Sequence, residues 1–494
     1  MLDADICTRA LGARDPRFDG LFFVGITSTH IYCRPVCPAR VSYPDHRRFF
    51  DSAAAAEGAG FRPCLRCRPE LAPGRAIIDA VPRLANVAAH RIAAGALNGR
   101  SVRDLAHDLG VSERHLRRAL EREVGVSPLE LAQTHRLLLA KRLLADTALS
   151  VTRVAYASGF QSLRRFNAVF RERYRMSPTA LRRGTRSLDD DRLLRVSRES
   201  AADDSPLTLT LAYRPPLAWE TLLDALRERA LPGVESISET TYSRTVGLDG
   251  RTGVVTVNRG DARRRRTASS LTARLSASLL PILMPLLSRL RRLFDLDAEP
   301  TVIDAHLAQR GLGDLVLARP GTRLPGAFDG FETALALLVD DPRQIIEAYG
   351  EQFDAGDDSL TRLTPRAATI AVATPGDLVR LGADPARANA LVAVAKLVVD
   401  GTVDLEPGSE VDETYNMLTE AGVENVLATT IVMRALQWPD AFPASDEALQ
   451  NVAGASNQAD IENRAESWRP WRAYAALHLT LAQQRAVPAS AMSA

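Results

Sequence analysis

Every thiol in this 494-residue chain falls within the first 67 positions. The five cysteines are Cys7, Cys33, Cys37, Cys64 and Cys67, and four of them pair as Cys33-x3-Cys37 and Cys64-x2-Cys67. In a reducing compartment such spacing favours metal binding over disulfides. Four thiolates match tetrahedral Zn²⁺, which closes a small domain that has too little core of its own. Spacing alone leaves two readings open, a closed structural site and a site with a reactive thiolate. Zinc keeps sulfur deprotonated at neutral pH, and the thiolate is the nucleophilic form. Cys7 has no partner at metal spacing and reads as a buried thiol.

The residues around the pairs favour the reactive reading. The stretch Ile31-Tyr-Cys-Arg-Pro-Val-Cys-Pro-Ala-Arg40, with Gly60-Phe-Arg-Pro-Cys-Leu-Arg-Cys-Arg-Pro69, resembles the N-terminal domain of Ada-type methylation-response proteins across residues 3–73. The resemblance implies that Cys33 irreversibly takes a methyl group from a DNA methylphosphotriester, with Cys37, Cys64 and Cys67 as supporting zinc ligands. Four thiolates on one Zn²⁺ carry a formal charge of about −2, and a thioether in place of one reduces this to about −1. Repulsion of the DNA backbone then weakens. Arg34, Arg40, Arg47, Arg48, Arg62, Arg66 and Arg68 are expected to hold phosphates more tightly after that change, Arg34 and Arg40 foremost. His30 departs from the family, where glycine is common, and reads as a loop residue. With no cysteine after Cys67, direct removal of methyl from O6-methylguanine, which needs a second reactive thiol, is not expected.

The elements that present this chemistry to DNA follow as an internal repeat. Ser101-Val-Arg-Asp-Leu-Ala-x3-Gly110 returns as Ser150-Val-Thr-Arg-Val-Ala-x3-Gly159. Val102, Leu105, Ala106 and Leu109 form one apolar helical face, Gly110 ends that helix and Ser112 caps the next. Each copy reads as helix, tight turn, helix. The second helices carry Arg114, His115, Arg117 and Arg118, then Ser162, Arg164, Arg165 and Asn167, residue types suited to phosphates and base edges. An apolar helix, roughly Pro128 to Leu144, joins the two. The region resembles the AraC/XylS-type DNA-binding domain, which implies two recognition helices in successive major grooves. Charge agrees: residues 1–186 carry 31 Lys+Arg against 17 Asp+Glu, a net of +14, whereas the remaining 308 carry 31 against 43, a net of −12. A basic front half calls for a polyanion partner.

In the acidic half, Leu207-Thr-Leu-Thr-Leu211 alternates as a strand, Trp219–Ala230 reads as a helix, and short strands are expected around Ser243–Val257. The run Ser270–Phe294 is helical in composition, interrupted at Pro281 and Pro285. The segments Arg292–Pro300, Arg323–Asp329, Asp440–Asp446 and Trp468–Ala475 resemble AlkA-type 3-methyladenine DNA glycosylases. The resemblance implies a helix-hairpin-helix fold and places the catalytic carboxylate at Asp446. Three departures stand against full activity. Glu424 replaces a hairpin glycine whose backbone approaches a phosphate; Val426 replaces the pocket tryptophan and Thr480 another family tryptophan; and Leu338–Gln344 shortens the helix whose following turn wedges into the duplex. A working glycosylase of altered specificity and a degenerate one are both open at this point. Trp468 and Trp471 also fit as packing anchors for the last helix.

The sequence therefore predicts a multidomain, mainly α protein. A zinc-bound α+β domain (1–75) leads to an all-α double helix-turn-helix domain (83–186) and a linker (187–204). A small α+β domain (205–295) and an all-α helix-hairpin-helix glycosylase-like domain (296–486) complete it. The expected function is a DNA alkylation-response protein. It accepts a methyl group on zinc-bound Cys33 and activates transcription of repair genes, with double-stranded DNA and RNA polymerase as partners. The alternative is an active base-excising glycosylase whose front half targets DNA. The longest apolar run, Leu279–Leu287, is too short to span a bilayer and the N-terminus lacks a secretory pattern, so a cytoplasmic location is expected.

Overall fold

The computed structural model describes residues 2–39, 43–74, 83–188, 205–260 and 269–486. The chain divides into two compact units, one of Met1–Arg214 with Leu248–Ser288, the other of Pro215–Gly247 with Arg289–Ala494. Both are mainly helical with small sheets, as expected. These units follow neither the expected boundary at 205 nor that at 295. Of the expected linker, residues 187–188 close a helix and 189–204 lie outside the described residues.

The first unit opens with helix α1 (Ala4–Ala13), capped by Asp3, whose side chain accepts from the Asp5 amide. A four-stranded sheet follows, of β1 (Phe23–Ile26), β2 (Ile31–Cys33), β3 (Arg47–Phe50) and β4 (Arg62–Pro63), with α2 (Ala53–Gly58) between the last two. Its order is β3-β1-β2-β4, antiparallel except for the parallel β2–β4 pair. His30 sits between β1 and β2 at φ 52°, the left-handed region, which explains why glycine suits this position.

Helix α3 (Arg83–Ala93) precedes the repeat, in which α4 (Val102–Asp108) and α5 (Glu113–Glu123) form the first copy. After α6 (Pro128–Asp146), α7 (Val151–Ala157) and α8 (Leu163–Tyr174) form the second, and α9 (Pro178–Leu188) ends the segment. The repeat is legible in the caps. Ser101, Ser112, Ser127, Ser150 and Ser162 each accept a backbone N–H of the helix that follows, satisfying donors left open in a first turn. Gly110 and Gly159 turn at φ +64° and +86°. The Asn98 side chain lies 2.4 Å from where a Cβ on Gly159 would stand, so no larger residue fits there. Val102, Leu105, Leu116 and Leu120 are buried in the first copy, and Phe160, Phe166, Phe170 and Tyr174 meet in turn edge-on or tilted in the second.

The first unit also holds β5 (Leu207–Ala212), with β8 (Arg251–Asn258) and β9 (Ser270–Leu275) ordered β5-β9-β8 and antiparallel. Strand β9 corrects the helical expectation for 270–294. Leu271, Ala273 and Leu275 alternate into the core, a period of two that composition alone conceals. Pro281 lies in a 3₁₀ turn (Ala277–Ile282), and Pro285 in the first turn of helix Leu283–Leu293, where its missing N–H leaves no bond unmade. In the second unit the short pair β6 (Glu235–Ile237) and β7 (Thr241–Leu248) is antiparallel. Two apolar clusters build its helical body. One surrounds helices Gly330–Leu338, Pro385–Val399 and Asn425–Ala435; the other surrounds Trp468 and the last helix, Arg472–Ala486.

Candidate functional site

The sheet explains how the two cysteine pairs meet. Cys33 ends β2, and the chain then turns tightly, the Cys37 amide donating to the Arg34 carbonyl at 3.1 Å. Parallel pairing sets Tyr32 against Pro63, and the Cys64 amide donates to the Tyr32 carbonyl at 3.0 Å. Cys64 therefore emerges beside Cys33. All four sulfurs lie within 4.8 Å of one another, and all four residues are buried. A tetrahedral Zn²⁺ with Zn–S bonds of about 2.3 Å requires sulfurs about 3.8 Å apart, which this cluster accommodates. The amides of Arg34 and Arg66 donate to the sulfurs of Cys67 and Cys64, each at 3.4 Å, and so support negative charge there. These residues fit the metal. All four residues have little exposed surface, 9% at Cys33 and 6–7% at the others. Cys7 is fully buried with Ala10 and Phe22, apart from the cluster.

The arginines near the cluster separate into two groups. Arg34 was expected to contact phosphate, and the structure corrects this. Its side chain is buried, its Nε donates to Asp19 at 2.8 Å, a second nitrogen pairs with the same carboxylate, and Nη1 donates to the Cys67 carbonyl at 3.0 Å. With its donors used inside, Arg34 braces the ligand loop. Arg68 is likewise engaged, by Glu70 and in a two-bond pair with Asp146 at 2.6 and 2.8 Å. Arg48 and Arg66 remain exposed, with Arg62 partly so, and Arg48 rests on the rings of Phe50 and Phe61. Arg40 lies outside the described residues.

In the repeat, Arg114, His115, Arg117 and Arg118 project from α5 into solvent, as do Arg164 and Arg165 from α8. Arg117 pairs with Glu113 one turn away at 3.0 Å, an exposed bond that is easily exchanged for a phosphate. Ser162 caps α8 through its hydroxyl and Asn167 is half-buried, so these two present less to a groove than their neighbours.

A seam of buried polar groups ties the cluster's sheet to the helices of the repeat. Glu57 on α2 accepts from the Tyr32 hydroxyl at 3.0 Å and from Thr134 of α6 at 3.2 Å, and Arg173 of α8 stands 3.7 Å away. Burial pushes its carboxyl up to about 7, against the opposing pull of Arg173 and of the two hydroxyls. Lys141 of α6 donates to the Cys64 carbonyl at 3.2 Å and pairs with Glu70, both side chains being 2% exposed. Sequence reasoning missed this seam. Its one signal was a set of ionisable residues on faces that helical periodicity assigns to the core.

In the second unit, Asp446 starts helix Glu447–Val452, and its Oδ1 accepts from the amides of Ala448 and Leu449 at 2.9 and 3.3 Å. Its other oxygen has no hydrogen-bond partner among the described residues. The hairpin is formed by helices Val411–Glu420 and Asn425–Ala435. Glu424, at the turn between them, is held by Arg387 at 3.2 Å, and Arg387 also holds Asp340 at 2.9 Å. The turn that follows helix Gly330–Leu338 therefore presents an acidic residue, and so does the hairpin. Trp468 is buried and donates to the Arg310 carbonyl at 3.1 Å, Trp471 meets His306 edge-on, and Thr480 is exposed.

Three family models match the chain: the metal binding domain of Ada over residues 6–70, a helix-turn-helix domain over 105–184, and the AlkA N-terminal domain over 208–329. A probable bifunctional transcriptional activator/DNA repair enzyme AlkA of Mycobacterium tuberculosis is 34% identical over 97% of this chain and 96% of its own length. DNA-3-methyladenine glycosylase 2 of Escherichia coli is 31% identical over 55% of this chain and 95% of its own. The bifunctional transcriptional activator/DNA repair enzyme Ada of that species is 32% identical over 30% of this chain and 40% of its own.

Proposed function

The chain belongs to the family of bifunctional transcriptional activator/DNA repair enzymes, and from that premise we propose that Cys33 is its sacrificial methyl acceptor. The observation that carries this reading is the buried four-sulfur cluster, with Cys33 ending β2 ahead of the Arg34–Cys37 turn. Bound zinc keeps the four thiols as thiolates at neutral pH. The Cys33 sulfur attacks the methyl carbon of a DNA methylphosphotriester, forming the S–C bond as the C–O bond breaks. The phosphodiester leaves with the electron pair, and no proton moves. Methyl transfer turns a thiolate into a neutral thioether and removes one negative charge from a cluster whose second cysteine pair is flanked by Arg62 and Arg66, with Arg48 on the opposite face of the sheet. Those arginines, with Arg114, His115, Arg118, Arg164 and Arg165 on the two recognition helices, then hold promoter DNA in the cytoplasm, where RNA polymerase is recruited. Double-stranded DNA carrying one methylphosphotriester should load a single methyl group per chain. Cys33→Ser should load none, measured by intact-protein mass. A methylated Cys33→Ser protein would sink this assignment.

A second activity rests on the free oxygen of Asp446. It is the carboxylate we assign to stabilising positive charge on the sugar while a damaged base leaves. Glu424 and Asp340 stand where DNA must approach, so excision is expected to be slow.

A further inference from the structure

We propose that Lys141, which belongs to the DNA-reading helices, is a positioning residue for the zinc thiolates. The inference rests on the methyl-acceptor reading above and extends it to a residue far outside the zinc-binding segment. Lys141 is 77 residues from Cys64 in sequence, yet its ammonium donates to the Cys64 carbonyl at 3.2 Å. That carbonyl belongs to a ligand, and the loop it starts runs directly to Cys67. Glu70 holds the ammonium from the far side, and Arg68 holds Glu70 at 3.0 Å while its other nitrogens grip Asp146 at the end of α6. The ligand loop is thus anchored at both ends to one helix, Cys64 through Lys141 and Arg68 through Asp146. A long flexible side chain fixed this way, with 2% exposure, has lost its rotamer freedom on folding. The buried Glu70 carboxylate and the Cys64 carbonyl together offset that loss.

The chemistry explains why such an anchor matters. Four sulfurs must stay near tetrahedral positions while one of them, Cys33, changes from thiolate to thioether. The Cys33–Cys37 turn is braced by Arg34 and Asp19 within its own segment. The Cys64–Cys67 turn is held by Arg34 through the Cys67 carbonyl and by Lys141 through the Cys64 carbonyl.

Lys141→Met alone would take from the buried Glu70 one of its two cationic partners, Lys141 and Arg68, so the test pairs it with Glu70→Gln in the full zinc-loaded chain. Three quantities are read: zinc release to a chelator, the single-turnover rate of methyl uptake, and the thermal midpoint. The double variant should stay folded, release zinc about tenfold faster and accept methyl several-fold more slowly. Lys141→Arg should remain near the parent in all three. A folded double variant that keeps zinc as tightly as the parent overturns the proposal. A double variant that fails to fold also overturns it, because Lys141 would then serve the fold rather than the metal. Zinc release reads the anchor even if the parent protein accepts no methyl, so failure of the methyl-acceptor reading is seen separately.

Discussion

A buried acid that keeps its hydrogen bonds is a pH sensor by default, and Glu57 is placed to be one. Its carboxyl is raised to about 7 by burial, so between the ordinary carboxylate range and pH 7 the folded chain binds more protons than the unfolded one. Stability should therefore fall as pH rises through that window, by about 3 kcal/mol in all, and level off above it. The groups facing Glu57 are Tyr32, Thr134, Arg173 and, further off, Lys141, and none of them reverses this sign. Between pH 5 and 8 the thermal midpoint of the parent should fall relative to that of Glu57→Gln, whose amide oxygen accepts from one hydroxyl while its NH2 donates to the other. Identical slopes would remove Glu57 as the cause. The same residue shows what sequence could reveal at this scale. The zinc cysteines were legible because their spacing is short-range and their chemistry specific. Glu57, Glu70 and Lys141 were not, because a charged residue on a helix reads as solvated until a partner from distant sequence is brought against it. Arg34 misled for the same reason, its partner Asp19 lying 15 residues upstream with no motif to join them.

Elements were more legible than contacts. Both helix-turn-helix copies, the caps and the long α6 follow from periodicity and serine placement. Strand β9 did not, because a leucine- and alanine-rich run suits either period and the sheet decided it. The hairpin of the second unit is the element whose behaviour is most open to test. Glu424 and Asp340 share Arg387, and all three side chains are at least partly exposed. Exposed pairs of this kind contribute about 0–1 kcal/mol, so removing them costs little fold stability. Glu424→Gly should let the hairpin backbone approach a phosphate and free Arg387 for DNA. Affinity of the intact protein for abasic-site duplex should rise about tenfold, worth roughly 1.4 kcal/mol. An unchanged affinity, measured by fluorescence anisotropy, would mean that this hairpin does not face DNA.

At the scale of the whole chain, one polypeptide joins a proposed stoichiometric acceptor to a region similar to a DNA glycosylase. The two are separable by counting: methyl uptake should stop at one per chain, whereas base release should continue with time. Intact protein incubated with methylated duplex DNA should release bases slowly but past one equivalent, and Asp446→Asn should release none while loading Cys33 normally. Release that persists in Asp446→Asn would move the catalytic role to another carboxylate. No helix among the described residues is long and apolar enough to cross a membrane.

The seam between the zinc sheet and α6 bears on how such chains are assembled over evolutionary time. A recombination event that joined this zinc segment to a foreign reader would carry over Glu57 and Glu70 without Thr134, Lys141, Arg173 or Asp146. A buried carboxylate that loses a charged partner costs about 3–5 kcal/mol, a large share of the margin that keeps a domain folded. Joining this zinc segment to a foreign reader should therefore require compensating changes at these positions, even though Glu57 keeps Tyr32 and Glu70 keeps Arg68.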